Sequence, residues 1–239
     1  MKERAAPAIS GDYQYRAGTA GLAPQRFWHY TKRLAIDRYL PAAAGDMIVD
    51  AGCGSGVISD HLGQSGARVL GIDPHPAAIA FATSRFARDN VHFANTTVEH
   101  VACDTPVDKI YSLEVLEHLS SEEGSVMLRH FHRLLRPGGS VFLTTPNARS
   151  VWPLIEWAAD RSGLVAPMGG AQHVEMYHQR KLRALVEHHD FQVRGIHSMC
   201  LLSPWIAAVS WRAARWTFDR EVTLPPGWGP VLIAVFCRR

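Results

Sequence analysis

Val49-Asp50-Ala51-Gly52-Cys53-Gly54-Ser55-Gly56 is the stretch that decides the fold. It continues a short apolar strand that begins at Met47, and its three alternating glycines allow a tight turn with no Cβ to keep a ligand from the backbone. A helix is expected over 57–65, and the free N–H groups at its start suit a carboxylate or a phosphate. A second strand, 67–73, ends in Gly71-Ile72-Asp73, where a carboxylate can accept hydrogen bonds from ribose hydroxyls. A dinucleotide loop of the form G-x-G-x-x-G would need its third glycine at position 57, which is Val57. The spacing G-x-G-x-G behind an acid therefore points away from a dinucleotide.

Outward from the loop, strands and helices alternate: helix 75–88, strand 91–94, strand 109–115, helix 121–135, the breaker Pro137-Gly138-Gly139 and strand 140–145. This pattern predicts an α/β fold, a Rossmann-like doubly wound sheet that is mostly parallel with helices on both faces. After Pro146 come a linker (147–172), a helix (178–189), a strand (191–198) and an antiparallel last strand (231–237). The connection between those two strands is far longer than the usual hairpin of about 2–5 residues, and long connections tend to carry function. Residues 1–25 look like a loose arm able to close over a ligand. Residues 26–40 have helical spacing, with Phe27, Tyr30, Leu34, Ile36 and Leu40 toward a core. The expected organisation is a single domain over 1–239, with an arm and helix at 1–40 and small Trp-rich cap or lid insertions at 147–175 and 199–229.

A chain of 239 residues can bury a core without a disulfide or metal staple. Lys and Arg total 25 against 22 Asp and Glu, a formal charge of +3, so no strong field announces nucleic acid. DNA is not expected as a partner, and RNA is disfavoured. Cys53, Cys103, Cys200 and Cys237 lack CxxC spacing and are expected to be free thiols in a reducing compartment. Residues 1–21 contain no apolar signal-peptide core, and the apolar run 201–211 is too short to span a bilayer as a helix. These features predict a cytoplasmic protein, with peripheral contact at the inner face of a membrane left open. No feature of the sequence sets an oligomeric state.

The segments VDAGCGSG, GID, LEVLEHL, LLRPGG and FLTTPN resemble the class I S-adenosylmethionine-dependent methyltransferases, closely over 45–145 and more loosely over 170–198. The resemblance is greatest to the ubiquinone-pathway O-methyltransferase and methyltransferase type 11 group. It implies S-adenosyl-L-methionine as cofactor and S-adenosyl-L-homocysteine as product. Gly52, Gly54 and Gly56 would then run under the methionine and ribose, with Asp50 fixing the loop or meeting the amino group and Asp73 holding the ribose. Thr96, Thr97 and Val98 would flank the adenine, although the acid often found there is absent. Glu114, at the carboxyl end of the fourth strand, would point into the cofactor cleft.

Glu114, Glu117 and His118 also resemble the E-x-x-E-H segment of small-RNA 3′-end methyltransferases, which carries a divalent metal together with a later histidine, matched here by His173. Mg²⁺, Mn²⁺ or Zn²⁺ would suit such a set. Against this, Glu117 and His118 can cap the next helix, or His118, His173 or both can be plain polar wall. The favoured assignment names no metal ligand and gives His118 or His173 the role of general base, since neutral imidazole accepts a hydroxyl proton at cellular pH.

A sulfonium methyl is already electrophilic, so alignment and one base suffice for a phenol. The expected function is O-methylation of a hydroxyl on a small molecule, apolar or lipid-linked. The alternatives are a metal-assisted RNA-terminal 2′-O-methyltransferase and a non-catalytic binding domain. In the insertions, 149–165 sets Arg149, Glu156 and Asp160 on one helical stripe. Ser203-Pro204 resembles an N-cap and first helical residue, with Trp205, Ile206, Val209 and Trp216 on one face and Arg212 and Arg215 apart. Such segments either pack on the sheet edge or form an apolar lid or interfacial surface.

Overall fold

The computed structural model describes residues 10–101, 105–150 and 174–239. Seven strands, β1 (Met47–Ala51), β2 (Arg68–Asp73), β3 (Val91–Asn95), β4 (Val107–Leu113), β5 (Leu135–Pro146), β6 (Phe191–Met199) and β7 (Val231–Arg238), form one sheet in the order β3-β2-β1-β4-β5-β7-β6. Strands β1 to β5 pair in parallel, and β7 runs antiparallel between β5 and β6. The expected Rossmann-like sheet is therefore present. Strand order reverses between β1 and β4, and a ligand crevice opens at the carboxyl ends of strands flanking such a reversal.

The helices are α1 (Tyr13–Thr19), α2 (Ala23–Tyr39), α3 (Val57–Gly63), α4 (Pro76–Phe86), α5 (Ser121–Leu134), α6 (Gln179–His188), α7 (Ser203–Ile206) and α8 (Trp211–Glu221). Two apolar cores result. One gathers Phe131 of α5 and Leu182 of α6 around Phe191 and Phe236, and the other gathers Phe27 of α2 and Phe218 of α8 around Tyr111 and Phe142. Val231 to Cys237 are all buried, as a strand covered on both faces requires.

The structure departs from the sequence expectations at four places. Residues 13–25 are not a loose arm: α1 packs on α2, and Tyr15 meets the rings of Phe81 and Phe86 at 5.4 and 6.1 Å. The Pro137-Gly138-Gly139 breaker lies within β5, because Leu135 already pairs with Val107 before a register shift, and Gly138 takes the irregularity at φ 74°. Glu117 and His118 do not cap α5; a capping box of Ser120 and Glu123 does.

The fourth departure concerns 203–216, which is broken into two helices. Leu202 is the N-cap of α7, and Ser203 is drawn inward to donate its hydroxyl to Glu221. Ser210 caps α8, within which Arg212 and Trp216, four residues apart, share one stripe instead of lying apart. The expected stripe of Arg149, Glu156 and Asp160 lies largely outside the described residues, as do Trp152 and Trp157.

Candidate active site

The loop after β1 curls over the end of β2, with the Gly52 and Cys53 N–H groups both donating to the Ile72 carbonyl at 2.8 and 3.0 Å. Gly52, Gly54 and Gly56 all have positive φ, at 79°, 50° and 79°. A Cβ on Gly52 would stand 2.2 Å from Val115 Cγ2, and one on Gly54 2.0 Å from Gln14 Oε1. The turn is thus both conformationally and sterically reserved for glycine, which leaves a bare backbone cradle for a ligand. Asp73 closes it: Oδ2 accepts from Gly54 N at 2.9 Å and Oδ1 from His75 N at 2.8 Å. Asp50, fully buried behind the loop, accepts the Ser59 hydroxyl of α3 at 2.6 Å, and burial raises its carboxyl to about 7. The Cys53 thiol is pushed far up by burial and by the Asp50 and Asp73 charges, so it stays a protonated thiol.

The N-terminal helices supply residues that the sequence pattern did not single out. Gln14, His29 and Lys32 line a narrow cleft with Asp50, Gly52 and Leu113. The Gln14 amide oxygen accepts from Ser55 N at 2.9 Å, so α1 rests directly on the glycine loop. Lys32 is buried, and its ammonium lies 2.5 Å from Glu114 Oε2. Burial works to raise the Glu114 carboxyl, but the Lys32 charge and hydrogen bond, with help from His29 and the Trp28 side chain, hold it below its ordinary value. His29 is pushed down to about 3 by burial and by Lys32, so its imidazole is neutral. The only sequence hint was polar residues on a helix face shared with Phe27 and Ile36.

Glu114 lies just past β4 at φ 57°, a left-handed conformation uncommon outside glycine. Its carboxylate pairs with Lys32. Among the described residues no group of three or more His, Cys, Asp or Glu side chains converges as metal ligands do. Glu117 is buried and accepts from Thr145 Oγ1 at 3.1 Å, while its backbone carbonyl takes the N–H groups of Val174 and Glu175. His118 is exposed at the end of the short 3₁₀ turn Leu116–His118. His173 lies outside the described residues. Thr97 bonds His100 Nδ1 at 3.1 Å, Thr96 bonds the Thr97 carbonyl at 3.3 Å, and Val98 is buried in the turn after β3.

Glu117 carries a pH prediction. Burial, with the Glu114 charge beside it, raises its carboxyl to about 8, so the folded chain holds this proton more tightly than the unfolded one. Its stabilising contribution is present at low pH and is lost as pH climbs from the ordinary carboxylate range through about 8. Asp50 acts in the same sense at about 7. Glu117→Gln should therefore melt at a higher temperature than the parent at about pH 9 while matching it near pH 4. Parallel melting curves that never converge would contradict a titrating Glu117.

A methyltransferase-domain family model matches residues 26–195 of the chain. A probable S-adenosylmethionine-dependent methyltransferase of Mycolicibacterium smegmatis is 31% identical over 127 residues, 53% of this chain and 48% of that protein. A ubiquinone biosynthesis O-methyltransferase of Pseudomonas paraeruginosa is 38% identical over 44% of this chain and 46% of its own length. The alignment thus spans about half the length of these curated relatives. The Xanthomonas oryzae pv. oryzae protein of the same description is 27% identical over 76% of this chain and 78% of its own length. Among solved structures, a magnesium protoporphyrin IX methyltransferase from Synechocystis PCC 6803 with bound S-adenosylmethionine covers 96% of this chain and 91% of its own. Its TM-score is 0.59 and its identity 17%, a likeness of fold.

Proposed function

Because the chain belongs to the methyltransferase-domain family, we propose that it catalyses S-adenosylmethionine-dependent methylation of a hydroxyl oxygen on a small, apolar or lipid-linked molecule. The observation that carries this proposal is the glycine cradle at the β1/β4 switch point, closed by Asp73 and walled by the Lys32–Glu114 pair. Those residues fit the cofactor: a bare backbone for its extended chain, a carboxylate for vicinal ribose hydroxyls, and a buried ammonium suited to an amino-acid carboxylate. Bound there, S-adenosylmethionine supplies an electrophilic methyl group on sulfonium. Thr96, Thr97 and Val98 flank the adenine end in this proposal, and Asp50 steadies the loop through Ser59.

The chain must still orient the nucleophile and remove its proton. His118, just past β4, accepts the hydroxyl proton on a ring nitrogen, and His173 is the second proposed base. The curated relatives described as ubiquinone biosynthesis O-methyltransferases favour oxygen as the methylated atom. Their description as ubiquinone-pathway enzymes also favours a lipid-linked acceptor.

The test uses S-adenosylmethionine labelled in its methyl group and alkyl catechols as acceptors. Label is expected in an alkali-stable aryl ether, and His118→Gln should lower kcat by about 10²–10⁴-fold with S-adenosylhomocysteine affinity unchanged. Label on nitrogen or carbon would overturn the oxygen assignment. Undiminished turnover by the variant would remove His118 as the base.

A further inference from the structure

The β6–β7 connection leaves the sheet at Met199 and returns at Val231, two residues paired with each other at the edge where the cleft opens. Its helices bury only one side. Helix α8 turns Ala214 and Phe218 into the core and presents Arg212, Trp216 and Arg220 outward at four-residue spacing, one exposed stripe. Trp216 is 58% exposed and stacks under the Arg220 guanidinium at 3.4 Å. Ahead of it, Trp205 and Val209, also four apart, are 54% and 91% exposed, and Leu202 is exposed beside them.

Large apolar side chains at that exposure carry a cost in water that isolated surface residues rarely combine. The accompanying charges are unbalanced. Arg212, Arg215 and Arg220 are exposed, whereas Asp219 is shared between Arg215 at 3.6 Å and Arg38 at 4.0 Å, and Glu221 is turned inward. Tryptophan interleaved with arginine on short helices matches the boundary of an anionic bilayer, where rings enter the acyl margin and guanidinium groups meet phosphates.

We infer that the outward face of α7 and α8, centred on Trp205, Val209, Trp216 and the flanking arginines, docks the protein on an anionic lipid surface. Docking does not require methyl transfer, but it gives the lipid-linked substrate proposed above a source. Trp211 connects the two regions: it packs on Phe27 and Tyr30 of α2, the helix that carries His29 and Lys32 into the cleft. A bilayer held at this face lies at the edge of the sheet where the cleft opens.

The test is co-sedimentation of the full chain with vesicles of phosphatidylcholine alone or mixed with phosphatidylglycerol, with S-adenosylhomocysteine calorimetry on the same sample. Binding to mixed but not neutral vesicles is expected, weakening with added salt and accompanied by a blue shift of tryptophan emission. Trp205→Ser with Trp216→Ser, and Arg212→Gln with Arg220→Gln, should each lower the partition coefficient by more than about tenfold at unchanged melting temperature.

Equal binding to both vesicle types, no vesicle binding by the parent, or undiminished binding by both double variants would overturn the inference. So would self-association of the parent that the tryptophan variants abolish, since the patch would then belong to a second copy of the chain. Vesicle binding without S-adenosylhomocysteine binding would count against the methyltransferase proposal alone. The reverse result would count against docking alone.

Discussion

Glu221→Ala is expected to lower the melting temperature by about 10 °C, from a loss of about 3–5 kcal/mol in a chain of this size. The Glu221 carboxylate is buried at the end of α8 and accepts the N–H groups of Cys200, Leu202 and Ser203 at 3.0, 2.9 and 3.1 Å, together with the Ser203 hydroxyl. These donors line the turn from β6 into α7, where Cys200 sits at φ 71°. Removing the acceptor leaves three backbone donors without their carboxylate, each costing about 1–3 kcal/mol where water cannot reach. Glu221→Gln retains one acceptor oxygen and should fall between parent and alanine. A shift below about 2 °C for the alanine variant would mean that the turn reorganises at little cost.

Asp73→Ala should weaken S-adenosylhomocysteine binding by about 10–150-fold, the loss of charge-assisted hydrogen bonds worth about 1.5–3 kcal/mol. This carboxylate already has a task, since it accepts from both Gly54 N and His75 N. The substitution therefore removes a brace of the glycine loop as well as the proposed ribose acceptor. Asp73→Asn separates the two: its amide oxygen can still accept from Gly54 N, so recovery of affinity would assign the effect to the loop. Continued weakness would assign it to the carboxylate on the ribose. Calorimetry showing parent-like affinity in both variants would sink the role of Asp73 in cofactor binding.

Local sequence signals were legible where the chemistry is local. A positive φ at Gly52, Gly54 and Gly56 follows from glycine spacing, and the strands of the parallel half are visible as apolar runs ending in Asp73 and Glu114. Cap assignments failed at Ser203 and Glu117 for one reason. A serine followed by proline, or an acid ahead of a helix, satisfies a local rule, but a buried partner elsewhere in the chain can claim the side chain first. Glu221 claims Ser203, and burial against Thr145 claims Glu117. Arg212 was set apart from Trp216 although the two stand four residues apart and share a stripe in any helix that holds both, so the spacing was misread independently of the new start at Ser210.

By itself the sequence determined the fold class, the cradle and the acid that closes it, because each depends on residues adjacent in the chain or on the repeat of a single strand. Only the tertiary structure decided that Lys32 meets Glu114 across 82 positions and that Gln14 caps Ser55 across 41. It also decided that the stripe of Arg212, Trp216 and Arg220 on α8 faces outward. The physical reason is that a charge or an amide shows in sequence only as polar. Its partner, its burial and hence its protonation are set by whichever element the fold packs against it.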